Sequence, residues 1–397
     1  METATRPIKL VYLTPALYMA GGVERVLTMK ANYFAEHFGY DITIIVTEGK
    51  GKPLFYPLSP RITLINLDIN FEQLWTCSFL KKIFVYLHKQ RLYKQKVTEL
   101  LMRLRPDVTI SLLRREINFI TSIQDGSKKM GELHVNRAHY RNFERDGFNP
   151  IKSVFAWFWM RSLVRKVKRL DTLVVLTETD RRAWPELKHV EAIPNPLFET
   201  PSPPNVPSEK RVILVGRYSY EKGIDMLLTA WSMVQRACPD WRLEIFGDGD
   251  STPYDNMLYD LKIDLRRCIL NGRTSNVLLE YARSQLAVCS SRFEGFGMVI
   301  IEEMACGLPV VSFDCPWGPR SIISDGEDGL LIENGNIIKL AAGLIRLMRD
   351  DSLRQQMSRA AKGNTPWFKL EYIAEMWKGL FERIVNQEHQ TPEATTS

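Results

Sequence analysis

The chain has 397 residues, 45% of them hydrophobic and 25% charged, which excludes a disordered or fibrous protein and leaves room for two to three domains. Its net charge of +7 is unevenly placed: residues 1–200 hold 31 Lys+Arg against 20 Asp+Glu, a balance of +11, and residues 201–397 hold 22 against 26, a balance of −4. The two halves therefore face different partners, and the basic half suits an anionic surface or a phosphorylated substrate.

In chain order, apolar strands are predicted at 8–14 (IKLVYLT), 41–48, 62–68, 107–113, 132–137 (ELHVNR) and 172–177. The amphipathic run VERVLTMKANYFAEHF follows the first strand, and basic helical stretches fill 78–105 and 151–170. Such β-α alternation predicts a parallel sheet with helices on both faces. Residues 195–210 hold five prolines without periodicity and read as a linker. Alternation then restarts, with strands at 211–217, 241–249, 268–273, 286–293, 309–313 and 329–333. The predicted organisation is an N-terminal Rossmann-like domain at 1–200 and a second at 201–365. Residues 366–397 follow as an amphipathic helix packing back on the first domain, then a disordered tail. Two doubly wound α/β domains facing each other place a ligand in the cleft, at the carboxyl ends of their strands.

The strongest chemical signal is SRFEGFGMVIIEEMACGLPVVSFD, 291–314, in which Glu294 and Glu302 have seven residues between them. A strand leads into the Gly295-Phe296-Gly297 turn, a helix and another strand. Backbone N–H groups at such a helix start favour an anion. A carboxylate beside them is suited to hydroxyls, as on a sugar or ribose, so the pair suggests a nucleotide-sugar. Glu302 is expected two turns into the helix, roughly 10 Å from the turn by helical rise, too far for the two carboxylates to share a double displacement. Glu303 is expected to face solvent. Upstream, VGRYSYEKGID places Arg217 at a strand end and Lys222 at a helix start, where a fork donor and a mobile cation can clamp a diphosphate. In the first half, Gly21 and Gly22 stand between the first strand and the first helix, as a plain tight turn or as a loop that comes close to sugar or phosphate. Asp248-Gly249-Asp250 has the spacing of a metal motif, but its place between strand and helix favours a turn and N-cap.

Together these residues resemble the family 4 glycosyltransferases, the retaining nucleotide-sugar enzymes of the GT-B fold. Gly216-Arg217 and Lys222-Gly223 match the family's Gly-Arg…Lys-Gly pair, Glu294 and Glu302 its Glu-seven-Glu motif followed by MACGLPVV, and Gly21-Gly22 its paired glycines. The run DCPWGPRSIISDGEDGLLI is similar to members that build bacterial surface polysaccharides. The resemblance implies that Arg217 and Lys222 hold the donor diphosphate and that Glu294, with the backbone of Gly295, Phe296 and Gly297, lies at the donor sugar. Glu302 would meet the ribose, and His134 would act on the acceptor side, although this chain has Leu133-His134 where the family commonly has Glu-His. It implies a UDP-linked donor, no metal, no cofactor beyond the substrate nucleotide-sugar, and same-face attack assisted by the leaving phosphate. The expected acceptor is a growing lipid-linked surface glycan such as lipopolysaccharide or capsule. Two other readings stay open: a non-catalytic glycan- or nucleotide-binding subunit of an assembly complex, and a nucleotide-sugar epimerase.

The remaining features concern location. No apolar run approaches the ~18 residues needed to cross a bilayer, and METATRPIKLVYLT lacks a signal-peptide pattern, so a cytoplasmic protein is expected. The segment 151–171 has six basic residues among Phe155, Trp157, Phe158 and Trp159, and 79–96 is similar. Both suit peripheral contact with an anionic membrane. No nucleic-acid motif is present, and nucleic acid is not an expected partner. The six cysteines (Cys77, Cys238, Cys268, Cys289, Cys306, Cys315) form no CxxC pair and are expected as free, buried thiols.

Overall fold

The computed structural model describes residues 6–76, 79–135, 137, 160–197, 206 and 208–386. The chain divides into two compact units, Met1–Ile193 with Glu371–Ser397, and Pro194–Leu370.

The first unit holds a parallel sheet of seven described strands: β1 (Lys9–Thr14), β2 (Asp41–Val46), β3 (Thr63–Asn66), β4 (Val108–Ser111), β5 (Lys128–Glu132), β6 (Thr172–Val175) and β7 (Val190–Ala192). Their order is β3-β2-β1-β4-β5-β6-β7, so the winding reverses between β1 and β4. The helices are α1 (Gly22–His37), α2 (Phe79–Leu104), α3 over the described part 160–167, and α4 (Glu178–Arg182). Side chains alternate across a strand, and β1 shows the consequence. Leu10 and Tyr12 join one core with Phe34 and Ile42, while Val11 and Leu13 join another with Tyr93 and Leu101. Both faces of the sheet are thus covered, which is why its strands read as continuous apolar runs.

The second unit repeats the plan with β8 (Arg211–Val215), β9 (Arg242–Phe246), β10 (Cys268–Asn271), β11 (Leu286–Cys289), β12 (Val310–Asp314) and β13 (Gly329–Glu333). The order β10-β9-β8-β11-β12-β13 reverses between β8 and β11. Its helices are α5 (Ile224–Ala237), α6 (Thr252–Asp260), α7 (Val277–Arg283), α8 (Met298–Ala305), α9 (Ile337–Arg349) and α10 (Asp351–Asn364). The last helix, α11 (Leu370–Asn386), belongs to the first unit. It buries Ile373, Ala374, Trp377, Leu380, Phe381 and Ile384, a helical stripe, and Phe381 meets the rings of Phe34 and Tyr40 edge-on at 5.8 and 6.2 Å.

Two sequence expectations need correction here. The fifth strand is Lys128–Glu132, not 132–137, so His134 lies two residues beyond its end. Lys128, Lys129 and Glu132 disguise a central strand, yet Lys129 pairs with Asp125 and Glu132 with Lys30. Gly131 lets Leu113 and Leu170 close in, since a Cβ there would come within 3.0 Å of each. The short strand β7 went unread because three residues give no periodicity. Of the cysteines, Cys238, Cys268, Cys289, Cys306 and Cys315 are free thiols. Cys77, Phe155, Trp157, Phe158, Trp159, most of the proline-rich linker and the C-terminal tail lie outside the described residues. No described helix is long and apolar enough to cross a membrane.

Candidate active site

In the second unit the topological reversal sets the loops after β8 and β11 side by side, the place where open α/β sheets hold ligands. Arg217 follows β8 and Lys222 closes the turn before α5. Gly223 takes a left-handed conformation (φ 60°), and a Cβ on it would lie 2.1 Å from the carbonyl oxygen of Ser290, so only glycine lets the two loops approach. Ser290 Oγ donates to the Lys222 carbonyl at 2.9 Å and completes the join.

Lys222 Nζ donates to Glu294 Oε1 at 2.6 Å, and Ser291 Oγ donates to the same oxygen at 2.6 Å. Burial pulls the Lys222 ammonium down, but the adjacent Glu294 carboxylate outweighs it and holds Lys222 above its ordinary value, so it is a firm cation. Arg217 is 70% exposed at the side chain, with its guanidinium 3.3 Å from Glu221. Gly297 caps α8 at φ 97°, turning the chain from Glu294 into the helix, and Phe296 is buried with its ring centroid 6.0 Å from that of Phe368. The structure therefore brings Lys222 and Glu294 into contact and sets Gly295, Phe296 and Gly297 at the start of α8.

Two positions on α8 differ from expectation. The helix begins at Met298, so Glu302 stands about one turn in, not two. Glu303 is 1% exposed rather than solvent-facing, because α8 lies against α10 and β12 and buries Ile300, Ile301 and Met304 as well. Among the described residues both Glu303 carboxyl oxygens lack a hydrogen-bond partner, and burial, with Glu302 nearby, pushes this acid well above the carboxylate range.

Sequence reasoning missed the supports of this site. Ser291 carries a local signal, three residues before Glu294. Arg292 does not: its guanidinium makes a two-pronged contact with Asp225 at 2.8 and 2.6 Å, donates to the Tyr220 carbonyl, and lies 4.0 Å over the Tyr220 ring. It thus holds the turn that carries Lys222. Asp248 pairs with Arg273, and Asp250 accepts from the Thr252 N–H at 3.0 Å just before α6, whose N-cap is Ser251. Among the described residues no group of three His, Cys, Asp or Glu is placed to hold a metal. Burial drives the Cys268 and Cys306 thiols up to about 12, which leaves them poor nucleophiles.

In the first unit Gly21 caps α1 and Gly22 begins it, both outside the left-handed region. Space is open where a Gly22 Cβ would be, whereas the Glu24 carboxylate fills that space at Gly21. His134 is 5% exposed at the side chain, with Nε2 3.1 Å from Glu132 Oε1.

Residues 199–364 match the family model "Glycosyl transferases group 1". An uncharacterized glycosyltransferase of Haemophilus influenzae is 29% identical over 367 residues, covering 91% of this chain and 96% of its own. A Campylobacter jejuni α-1,4-N-acetyl-D-galactosaminyltransferase, named for a diNAcBac-PP-undecaprenol-linked disaccharide, is 23% identical over 378 residues, covering 92% and 96%. Among solved structures, Staphylococcus aureus TarM in complex with fondaparinux, alpha-GlcNAc-glycerol and UDP superimposes with a TM-score of 0.73 at 18% identity, covering 94% and 99%. Residues 199–364 are thus similar to the group 1 glycosyl transferases, and the chain is a glycosyltransferase of the GT-B fold.

Proposed function

We propose that this glycosyltransferase is a retaining enzyme that takes a sugar from a UDP-linked donor and passes it to a hydroxyl of a lipid-linked bacterial surface glycan. The observation that carries the donor half is the Lys222–Glu294 contact beside the N-terminus of α8. It combines a cation for phosphate with a carboxylate for sugar hydroxyls. The UDP of the TarM structure and the undecaprenol-linked substrate of the Campylobacter relative support the two ends of the reading.

As the glycosidic bond to phosphate breaks, negative charge grows on the leaving diphosphate. Arg217, Lys222 and the backbone N–H groups that open α8 stabilise that charge without a metal, which lowers the barrier because they are fixed before reaction. Glu294 orients the donor sugar and Glu302 the ribose. The first unit receives the acceptor, with His134 and the Gly21-Gly22 turn on that side. The acceptor hydroxyl attacks the anomeric carbon on the face the phosphate leaves, and its proton passes to the departing phosphate oxygen. We place the protein in the cytoplasm, against the inner face of the membrane. Ile83, Phe84 and Leu87 of α2 are exposed apolar residues beside the exposed Lys81, Lys82 and Arg91, a surface that fits anionic lipid.

The test is a thermal-shift panel of UDP-, GDP- and ADP-sugars on wild type and on the Arg217→Ala/Lys222→Ala double variant. A ligand at a hundred times its Kd stabilises the fold by about 2.7 kcal/mol. The expected result is a shift with UDP-sugars that the double variant loses. A shift that survives in the double variant removes the clamp, and a shift with another base alone removes the UDP assignment.

A further inference from the structure

We propose that Glu132 is a positioning residue that fixes the His134 imidazole with its proton on Nε2, and that Lys30 anchors Glu132 to the helix behind the glycine turn. The inference rests on the reading of His134 as the group that meets a substrate hydroxyl, and it deepens that reading.

The three residues come from separate parts of the first unit. Lys30 lies in α1, Glu132 ends β5, and His134 follows two residues later. The Lys30 ammonium donates to Glu132 Oε1, and both side chains are 1% exposed. His134 Nε2 lies 3.1 Å from that same oxygen, a charge contact whose angle falls short of a hydrogen bond, and Nε2 has no hydrogen-bond partner among the described residues. On its other side the Lys30 ammonium sits 4.0 Å over the Trp377 ring of α11. Among the described residues Glu132 Oε2 and the neighbouring Tyr12 hydroxyl have no hydrogen-bond partner.

A buried ion pair is a weak source of stability, since well-packed apolar residues of similar volume serve as well or better. This pair sits beside an apolar core that contains Leu10, Ile44, Val108 and Ile110. Burial pulls the Lys30 ammonium below its ordinary value against the pull of Glu132, and a pair kept at that cost, with one carboxylate oxygen unsatisfied among the described residues, is better explained by the third member. Burial drives the Glu132 carboxyl up, but Lys30 and then His134 outweigh it and hold it at about 2. Glu132 is therefore an anion at neutral pH, and an anion at Nε2 selects the tautomer that carries the proton there. Nδ1 is left with its lone pair and can accept a hydrogen bond from a substrate hydroxyl. Lys30 holds the carboxylate in place and couples its position to α1, which the glycine pair caps and begins.

The experiment uses the full chain and the Lys30→Met/Glu132→Gln double variant, which removes both charges at similar volume. Nitrogen-15 NMR of the imidazole, assigned with His134→Gln, reads the tautomer and needs no substrate. Wild type should show one tautomer, protonated at Nε2, and the double variant a mixture. Turnover should fall about 10- to 100-fold, the range for groups that orient a metal-bound histidine, while the Kd for UDP stays within about twofold. Glu132→Asp, with Lys30 intact, should restore part of both signals, and it carries the same readouts if the double variant melts too low to use. An unchanged tautomer, or turnover within about twofold of wild type, overturns the proposal. If wild type neither binds nucleotide-sugar nor transfers, the functional reading fails, and the tautomer measurement still decides whether Glu132 positions His134.

Discussion

Glu294 and Lys222 share a 2.6 Å hydrogen bond, and the side-chain oxygen that accepts it also accepts from Ser291. A diphosphate must engage the same ammonium, so the carboxylate and the donor compete for one cation. Lys222→Ala should weaken UDP binding by about 1.5–3 kcal/mol, the worth of a charged hydrogen bond. Glu294→Gln should act in the opposite sense. It removes the competing anion, so UDP should bind several-fold tighter while sugar transfer drops by two orders of magnitude or more. Calorimetric titration with UDP, set beside a transfer assay, separates the two effects. Weaker UDP binding in Glu294→Gln would sink the competition model.

Glu303 gives a stability prediction with a definite pH sign. Its folded pKa lies well above the ordinary 4.5. Below that ordinary value both folded and unfolded chains hold the proton, and the residue is neutral to stability in this respect. As pH rises past it, the unfolded chain ionises while the folded chain does not, so the native state loses ground. Glu303→Met should therefore stabilise the protein, and by more at pH 7.5 than at pH 4.5. Removing the unsatisfied carboxyl should give about 1–3 kcal/mol at neutral pH. Thermal melts of both proteins across that range check it, and a gain that does not grow with pH would show that Glu303 has a partner.

These two residues mark the boundary of what the sequence made legible. Lys222, Gly223, Glu294 and Gly297 could be read because local rules act on them: a glycine where the backbone turns left-handed, a cation at a helix start, a turn that opens a helix. The reversal of winding between β8 and β11 then brings those loops together, and that too follows from β-α alternation. Glu303 could not be read, because the side of α8 that faces inward depends on α10, which packs from the far end of the unit. The Lys30–Glu132 pair spans 102 residues, a separation that no spacing rule addresses. The same pair hid β5, since charged residues read as surface until their partners are known.

Gly223 and Gly22 predict opposite outcomes for the same substitution. Gly223→Ala meets both a left-handed backbone, costing about 1–2 kcal/mol, and the Ser290 carbonyl at 2.1 Å. It should lower the melting temperature and displace Lys222, so UDP binding falls with it. Gly22→Ala opens α1 at an ordinary φ with nothing within 4 Å among the described residues, and should leave stability equal or raise it by up to about 1 kcal/mol. If the turn comes close to substrate, Gly22→Ala should still lose transfer while keeping UDP affinity. Unchanged transfer in Gly22→Ala would reduce the turn to a helix start.

The exposed face of α2 tests the membrane side of the proposal. Phe84 is 76% exposed, with Ile83 and Leu87 beside it and cations at Lys81, Lys82 and Arg91. Burying one such apolar side chain is worth about 1.5–3 kcal/mol, and each cation near anionic lipid adds about 1 kcal/mol. The protein should co-sediment with phosphatidylglycerol-rich vesicles more than with phosphatidylcholine vesicles, and high salt should weaken the preference. Phe84→Glu/Leu87→Glu reverses both contributions on a surface that supports no core, so binding should fall at least tenfold with the melting temperature unchanged. If the double variant binds vesicles like wild type, α2 is not the contact. If wild type shows no preference between the two lipids, the basic balance of the first 200 residues serves the phosphorylated acceptor instead.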